Sequence, residues 1–479
     1  MITFGTDGWR AKIDVDFTAD KVMMLAKAVA DHLHDRKLAK RGVLVGYDTR
    51  RKSKFFAEKV AEVLAGEGIR VLFPPRETPT PVVAYQVWRC KLGGAVVITA
   101  SHNPPEWNGF KFIPHYAGPA LPDVTSDIES RANRLLAEDV KAEGISFKKA
   151  EAEGLIEFFD PMPSYIDHVL DFVEADLFRN RGLKVVVDAL YGATYGYLKE
   201  IFSRLGCEVI ALHDTPHPEF HGILPDPTPK VLTELQQKVI STGASLGLAT
   251  DGDGDRIGVC TPKGFFSANA LFPVIYSHLL EFKGMRGDVV RTVATTHMVD
   301  VVAEEYGFSS IEVPVGFKYV GKVLREGKAV MGGEESGGFG FREHISEKDG
   351  LLSAAVIAEL VVSSGKSLET LRSELEAKYG FYYSGRVDVP CGGFNAKQLV
   401  GEIVEHPPPE LCGMKVISTS TLDGIKFILP KRSWLLLRPS GTEPVIRVYA
   451  ESSSQELLKQ ILDCGVALIK KGMQALSSS

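Results

Sequence analysis

A strand followed by a helix recurs through most of this 479-residue chain. Short apolar runs that fit buried strands, such as residues 42–47, 94–98 and 183–188, alternate with segments whose apolar residues recur at helical spacing. Alternating strands and helices favour largely parallel sheets covered by helices. Because the chain is too long for one hydrophobic core, about three or four domains are expected.

The alternation occurs in three rounds and then ends. We predict three similar α/β domains with mixed, largely parallel sheets and a smaller C-terminal α+β domain, arranged around a central cleft. Their predicted bounds are 1–153, 154–257, 258–378 and 379–479. In the last domain, five strand-like runs precede one final helix from Ser454 to about Lys471. In each of the first three domains a polar cluster follows a strand, where α/β sheets bind ligands.

Composition narrows the function. The 55 basic and 61 acidic residues give a net charge of −6, so no nucleic-acid footprint is expected. Six dispersed cysteines without a CxxC pair argue against disulfides and zinc and fit a reducing compartment. The N-terminus does not resemble a signal peptide, and no apolar run approaches the ~18 residues that span a bilayer. We therefore expect a cytoplasmic protein without membrane partners.

The segment 251–256, Asp-Gly-Asp-Gly-Asp-Arg, predicts a metal site. Three carboxylates at alternate positions concentrate negative charge that a cation relieves, and oxygen ligands favour Mg²⁺. A calcium-binding EF-hand loop does not fit, since Arg256 and Pro262 stand where that loop needs Gly and Glu. The alternative is a solvated acidic turn.

Ser101, in the segment 99–105, is the candidate nucleophile. It follows a predicted buried strand, and Pro104 and Pro105 stiffen its loop. No Gly-x-Ser-x-Gly elbow surrounds it, so an acyl-transfer triad is not favoured. A serine near a hard metal suits phosphoryl transfer, where positioning and charge neutralisation dominate. The alternative is a turn or capping residue.

Two further loops have the composition of ligand sites. The loop 438–444 offers the planar guanidinium of Arg438 and the hydroxyls and backbone donors expected at a phosphate site, and Arg447 adds charge. The donors in question are Ser440, Gly441 and Thr442. The loop 333–338 could present carboxylates to sugar hydroxyls. An ordinary turn and an exposed acidic turn, respectively, are the alternatives.

These four loops, in this order, resemble the motifs of the α-D-phosphohexomutases, the family of phosphoglucomutase and phosphomannomutase. The segments are 99–111, 251–256, 333–338 and 438–444, together with 5–10 and 46–50. The resemblance spans essentially the full length. It implies four domains around a cleft, a phosphoryl group on Ser101 and Mg²⁺ held by Ser101, Asp251, Asp253 and Asp255. It further implies that Lys111 acts as general base and that Arg10 and Arg256 assist catalysis. The implied substrate-binding residues are His102, Lys318, Glu335, Ser336, Arg438, Ser440, Gly441, Thr442 and Arg447.

The resemblance predicts interconversion of hexose 1-phosphate and hexose 6-phosphate through a hexose 1,6-bisphosphate. Glu335 and Gly338, and the segment 347–350, look like the glucose-phosphate branch, since phosphoglucosamine mutases usually have Gln before Ser336 and His at position 338. Mannose phosphates stay open as substrates. The alternatives are a glucose 1,6-bisphosphate synthase with a separate phosphoryl donor and a non-catalytic phosphosugar-binding regulatory protein. The expected partner is a phosphosugar, and a monomer or a homodimer is expected.

Overall fold

The computed structural model describes residues 1–441 and 443–478 and divides into two compact units. The first unit comprises residues 1–267, 321–327 and 336–367, and the second comprises 268–320, 328–335 and 368–479. Three α/β domains with mixed sheets and a C-terminal domain with an antiparallel sheet confirm the predicted fold class.

The first sheet carries the loop of Ser101 at its centre. Its strands are β1 (Trp9–Lys12), β2 (Val43–Tyr47), β3 (Val71–Phe73), β4 (Gly94–Ile98), β5 (Trp107–Pro114) and β6 (Ile156–Phe158). They lie in the order β1-β5-β4-β2-β3-β6, with β4, β2, β3 and β6 parallel and β5 and β1 antiparallel. Because β6 pairs with β3, the sheet extends past the predicted boundary at residue 153.

The second sheet carries the acidic loop. Its strands are β7 (Lys184–Asp188), β8 (Glu208–Leu212), β9 (Leu246–Thr250), β10 (Ile257–Thr261) and β11 (Gly264–Phe266). The order is β11-β10-β9-β7-β8, parallel over β9, β7 and β8 and antiparallel at the other edge. The acidic loop connects β9 to β10, so this sheet extends past the predicted boundary at residue 257.

The remaining strands form a four-stranded sheet with a parallel core, a five-stranded antiparallel sheet and a separate two-stranded antiparallel sheet. They are β12 (Asp288–Thr292), β13 (Ser310–Val313), β14 (Ala329–Gly333), β15 (Phe339–Phe341), β16 (Tyr383–Pro390), β17 (Glu410–Leu411), β18 (Met414–Lys415), β19 (Ser418–Ser420), β20 (Ile425–Leu429), β21 (Ser433–Pro439) and β22 (Val445–Ser452). Strand β12 lies between β13 and β14, parallel to both. The C-terminal sheet is antiparallel in the order β16-β22-β21-β20-β19.

Helices cover these sheets. They are α1 (Ala19–Asp35), α2 (Ser53–Gly66), α3 (Thr80–Cys90), α4 (Pro122–Ala137), α5 (Phe147–Ala152), α6 (Met162–Phe172), α7 (Ala175–Arg181), α8 (Tyr197–Arg204), α9 (Thr233–Thr242), α10 (Ala268–Glu281), α11 (Met298–Glu305), α12 (Phe317–Arg325), α13 (Gly350–Ser364), α14 (Leu368–Tyr379), α15 (Ala396–Glu405) and α16 (Gln455–Ser478). Among the described residues no single helix is long and apolar enough to cross a bilayer; the bent pair of α13 and α14 passes on length and composition alone.

The predicted final helix of the C-terminal domain is α16, but α15 in the same domain was not predicted. Helix α15 precedes most of that domain's strands, and Asn395 caps it by accepting hydrogen bonds from the backbone of Lys397 and Gln398. Its three buried side chains, Leu399, Val400 and Ile403, recur at helical spacing, so the sequence does carry a signal for this helix, although over only ten residues.

Candidate active site

Ser101 lies at the end of β4, next to the acidic loop. Its side-chain oxygen donates a hydrogen bond of 2.8 Å to Asp251 Oδ2 and lies 3.3 Å from His102 Nδ1. The residue is 2% exposed, and its backbone has a φ of +52°, in the left-handed region that non-glycine residues rarely adopt. The candidate nucleophile and the predicted metal loop therefore meet within the first unit.

The three aspartates form a buried group that fits a cation. One oxygen from each of Asp251, Asp253 and Asp255 lies within 4.8 Å of the others. Asp253 Oδ1 and Asp255 Oδ1 are buried without a hydrogen-bond partner in the described part of the chain. Buried carboxylate oxygens without donors are costly unless a cation binds them, and an all-oxygen set suits Mg²⁺. Burial, together with the charges of Asp255 and Asp253, raises the pKa of Asp251 well above its usual value.

Two lysine ammonium groups share these carboxylates. Lys111 Nζ, from β5, lies 2.7 Å from Asp7 Oδ2, 2.8 Å from Asp253 Oδ2 and 3.2 Å from Asp255 Oδ2. Lys348 Nζ lies 2.8 Å from Asp255 Oδ2 and 3.6 Å from Asp7 Oδ2. Two lysine ammonium groups thus balance the negative charge of the acidic loop, and Asp251 of this loop also accepts a hydrogen bond from Ser101.

The environment of Lys111 differs from the one that a general base requires. Burial lowers its pKa, but Asp253, Asp7 and Asp255 outweigh burial and raise the pKa well above the usual value. A lysine that acts as general base near neutral pH needs a depressed pKa, whereas the groups nearest to the Lys111 ammonium are carboxylates. Burial alone would raise the pKa of the Asp255 carboxyl. The positive charges of Lys348 and Lys111 outweigh burial and hold that pKa far below its usual range.

The sequence analysis missed Asp7 and Lys348 as members of this cluster. Both stand within segments that carry the family resemblance, 5–10 and 347–350, yet a single charged residue in a loop has no spacing signal of its own. Thr80 was missed too: its hydroxyl donates to Asp253 Oδ2 at 2.6 Å, and its backbone N–H donates to the Asp253 carbonyl at 2.8 Å. Glu347 is also buried here, and burial raises its pKa to about 8.

Three other predicted residues of the first unit belong to the serine loop or contact the serine loop or the acidic loop. Arg10, on β1, donates through Nη1 to Asn103 Oδ1 at 2.6 Å. The backbone N–H of Arg256 donates to Asp251 Oδ1 at 3.1 Å, and its guanidinium lies 3.6 Å from Asp226. Burial and the charges of Arg256 and Arg10 lower the pKa of His102 well below its usual value, so its imidazole is neutral at neutral pH.

The predicted sugar-contacting residues lie at the end of β14. Glu334 Oε1 accepts a 3.0 Å hydrogen bond from the Gly316 N–H, and Glu335 Oε2 accepts one of 3.4 Å from the Thr292 hydroxyl. Lys318, in the first turn of α12, has its ammonium 5.5 Å from the ring centre of Tyr319. Ser336, which belongs to the first unit, is exposed.

The predicted phosphate loop connects β21 to β22. Arg438 and Arg447 are direct cross-strand partners, with Arg438 Nε 2.7 Å from Asp423 Oδ2 and Arg447 Nη2 2.7 Å from Glu443 Oε2. Ser440 Oγ accepts a 3.2 Å hydrogen bond from the Glu443 N–H. A Cβ atom at Gly441 would meet nothing within 4 Å, so this turn is open. Thr442 lies outside the described residues.

Comparison with known proteins decides the family. Models of four consecutive domains of phosphoglucomutase/phosphomannomutase match the chain: α/β/α domain I over residues 1–139, domain II over 163–264, domain III over 267–379 and the C-terminal domain over 413–464. A phosphoglucosamine mutase of Acetivibrio thermocellus is 30% identical, with 95% of this chain and 96% of that protein covered. The chain belongs to the phosphoglucomutase/phosphomannomutase family.

Other members of the family match over their full length. A phosphoglucomutase/phosphomannomutase of Thermococcus kodakarensis is 29% identical, covering 98% of this chain and 99% of its own. A crystal structure of a Thermus thermophilus protein, assigned as a phosphomannomutase, superimposes with a TM-score of 0.84 at 31% identity, covering 98% and 99% of the two chains. The chain is therefore a phosphomutase enzyme. The names of its relatives differ in the sugar, so family membership does not assign the substrate.

Proposed function

We propose that this phosphomutase interconverts a hexose 1-phosphate and the hexose 6-phosphate through a phosphorylated Ser101, with glucose phosphates as the preferred pair. The 2.8 Å contact between Ser101 Oγ and Asp251 Oδ2 carries the proposal. It supports a hydroxyl held beside three carboxylates that suit a cation, which is the arrangement that phosphoryl transfer from serine requires.

In the proposed first step, the bond between Ser101 Oγ and phosphorus breaks as a free sugar hydroxyl bonds to that phosphorus. Asp251, Asp253 and Asp255 would hold Mg²⁺, which would neutralise charge on the transferring phosphoryl oxygens. Arg10 and Arg256 add positive charge around the same group. Lys111 can accept the proton of the sugar hydroxyl only as a neutral amine, so its ion pairs must loosen and its own proton must leave to solvent when the sugar binds. The departing Ser101 oxygen takes up one proton, so the number of protons is conserved.

The second step returns a phosphoryl group to Ser101. The hexose 1,6-bisphosphate made in the first step turns over, and its other phosphate is transferred to the serine. The phosphate that does not react is assigned to Arg438, Ser440, Gly441, Thr442 and Arg447, and the sugar to His102, Lys318, Glu335 and Ser336. The open turn at Gly441 and the register pair of Arg438 and Arg447 support a phosphate site there.

Residue 338 supports the choice of glucose phosphates over glucosamine phosphates. A Cβ atom at Gly338 would lie 2.7 Å from Cδ of Lys348, so a larger residue here would displace the lysine side chain that contacts Asp255. The phosphoglucosamine mutases that the sequence resembles usually have His at this position. Those enzymes usually have Gln where this chain has Glu335, and this difference also favours glucose phosphates over glucosamine phosphates.

Two measurements test the proposal. Mass spectrometry of the purified protein should find phosphate on Ser101, and Ser101→Ala should lower turnover of glucose 1-phosphate by several orders of magnitude without loss of the fold. Ser126→Ala, which changes an exposed serine of α4, is the matched control. Normal turnover in Ser101→Ala would exclude the phosphoserine route.

A steady-state comparison assigns the sugar. We expect kcat/KM for glucose 1-phosphate to exceed the values for mannose 1-phosphate and glucosamine 1-phosphate. A higher kcat/KM for either of the other sugars would overturn the choice of glucose while leaving the phosphoserine route intact. Net release of bisphosphate that requires an added phosphoryl donor would instead identify a bisphosphate synthase.

A further inference from the structure

A buried arginine organises the loop that carries the nucleophile. Arg50, three residues after β2, is 3% exposed. Nη2 donates to the carbonyls of Ser101 and Asn103, both at 2.6 Å, and Nη1 donates to those of Pro104 and Trp107 at 2.7 and 3.1 Å. One guanidinium therefore binds four carbonyl groups of the connection between β4 and β5.

The guanidinium is itself fixed from two sides. Its Nε donates to Asp48 Oδ2 at 3.1 Å, so all five N–H donors of the group have a partner. Asp48 is buried and also accepts the Ser53 hydroxyl at 2.6 Å. The fully buried ring of Phe220 lies 5.0 Å from the guanidinium carbon. These contacts pin both the position and the rotation of the planar group.

The serine loop has internal hydrogen bonds from the Ser101 N–H to Thr99 Oγ1 at 2.9 Å and from the Asn103 N–H to the Ala100 carbonyl at 3.0 Å, but these leave the carbonyls of Ser101 and Asn103 to Arg50. Pro104 and Pro105 lack N–H groups, and Ser101 adopts its left-handed φ of +52°. Such a backbone conformation persists only where the surroundings impose it. Arg50 supplies that constraint at the carbonyl of Ser101 itself, opposite the side chain that contacts Asp251.

We propose that Arg50 is a positioning residue for phosphoryl transfer: it holds the Ser101 loop so that the serine oxygen stays aligned with the acidic loop. The inference rests on the proposed phosphoserine function. It predicts that Lys cannot replace Arg50, because an ammonium group has three donors at one point and cannot reach four carbonyls spread along the loop.

The test compares Arg50→Lys with Arg51→Lys, which keeps the same chemistry one residue away at an exposed side chain. For Arg50→Lys we expect kcat to fall about 10²-fold, as for a small displacement of a reacting group, with KM for the sugar phosphate nearly unchanged. The rate at which hexose 1,6-bisphosphate phosphorylates Ser101 in the dephosphorylated protein should fall by the same factor. Arg51→Lys should behave as the parent protein.

Several outcomes would overturn the inference. They are a folded Arg50→Lys protein with parental kcat, a loss that is entirely in KM, and a loss that only matches a smaller folded fraction. If Arg50→Lys does not fold, Phe220→Leu decides, since it removes only the ring above the guanidinium: reduced kcat at constant KM supports the role and unchanged kcat rejects it.

Ser101→Ala separates the two proposals. If that variant keeps its turnover, the phosphoserine function fails and the positioning role fails with it. If Ser101→Ala is inactive while Arg50→Lys is normal, only the positioning role is rejected.

Discussion

Ser101 and Asp251, 150 positions apart in the chain, are joined by a hydrogen bond of 2.8 Å from the serine hydroxyl to the carboxylate. Each residue follows a strand of a parallel core, β4 in the first sheet and β9 in the second. The contact therefore arises because two similar domains bring the same end of their sheets together within one compact unit.

Magnesium should stabilise this protein through the acidic loop. We expect added Mg²⁺ to raise the melting temperature by a few degrees, because a ligand that binds the folded state alone stabilises it. Asp253→Asn should abolish this shift, since it removes a carboxylate that lies within 4.8 Å of the other two. Chelation should remove activity and Mg²⁺ restore it.

Asp176→Asn is the control, since the Asp176 side chain is 89% exposed in the same unit. It should retain the full Mg²⁺-dependent shift. A parent protein whose melting temperature does not respond to Mg²⁺ would contradict the assignment of the acidic loop as a metal site.

The strands and helices were largely predictable where local signals agree. Strand β4 has the predicted bounds of residues 94–98, and β2 and β7 each begin one residue later than the predicted runs 42–47 and 183–188. Ser53 is a residue type that often caps a helix, but here it is already helical at the start of α2 and its hydroxyl donates to Asp48 Oδ1 at 2.6 Å. The serine hydroxyl therefore binds the Asp48 carboxylate and does not cap the helix.

The sequence motifs of the site could be predicted, but the contacts among its residues could not. The serine and the acidic trio were found because their residue types are unusual after apolar strands. Asp7, Arg50 and Lys348 were not found, because their importance depends on burial and on partners more than 40 positions away. The raised pKa of Lys111 has the same origin, since the carboxylates around it come from distant parts of the chain.

Gly338→Ala should reduce activity through Lys348. The new Cβ would lie 2.7 Å from Lys348 Cδ, so the lysine side chain must shift, and we expect the shift to weaken its 2.8 Å contact with Asp255. We expect kcat to fall about tenfold, since loss of one charged contact in a buried site is worth over 1 kcal/mol. In a Lys348→Met background Gly338→Ala should lower kcat little further, because the effects of mutations at two residues in contact are not additive.

Gly401→Ala serves as the matched control for that cycle. Gly401 lies within α15, and a Cβ atom there would meet nothing within 4 Å. Activity should be unchanged and stability equal or slightly higher, as for alanine in a helix. If the effects of Gly338→Ala and Lys348→Met on kcat simply multiply, the lysine is not the route by which Gly338 acts.

His213 should stabilise the protein in acid more than in base. Its Nδ1 lies 2.9 Å from Asp188 Oδ1, and this hydrogen bond raises the pKa of His213 in the folded protein. Stabilisation is complete below the pKa of the unfolded chain and is lost as pH rises through the folded pKa. His213→Gln should therefore lower the melting temperature more at about pH 5.5 than at about pH 8.5.

The exposed His406 provides the comparison for this pH dependence. His406→Gln should change the melting temperature little at either pH. An effect of His213→Gln that grows with rising pH would show that the charged pair with Asp188 is not what stabilises this loop.

Tyr165→Phe should destabilise the first unit without altering the Ser101 cluster. The Tyr165 hydroxyl donates to Asp349 Oδ2 at 2.7 Å, and Asp349 Oδ1 caps α13 by accepting the Leu352 N–H at 2.9 Å. Because Asp349 is fully buried, losing this donor leaves a carboxylate oxygen with only His344 Nε2, 2.8 Å away. We expect a loss of about 1–3 kcal/mol in the free energy of unfolding, measured by urea denaturation.

The control for Tyr165 is Tyr306→Phe, which removes a hydroxyl that hydrogen-bonds to Glu281 at the exposed surface. Water replaces such a partner, so the free energy of unfolding should change by less than about 0.5 kcal/mol. If Tyr165→Phe loses no more stability than Tyr306→Phe, the hydrogen bond from Tyr165 to Asp349 does not contribute to the free energy of unfolding. The contact of Asp349 with His344 and its backbone hydrogen bonds would then be sufficient to hold the start of α13 next to Lys348.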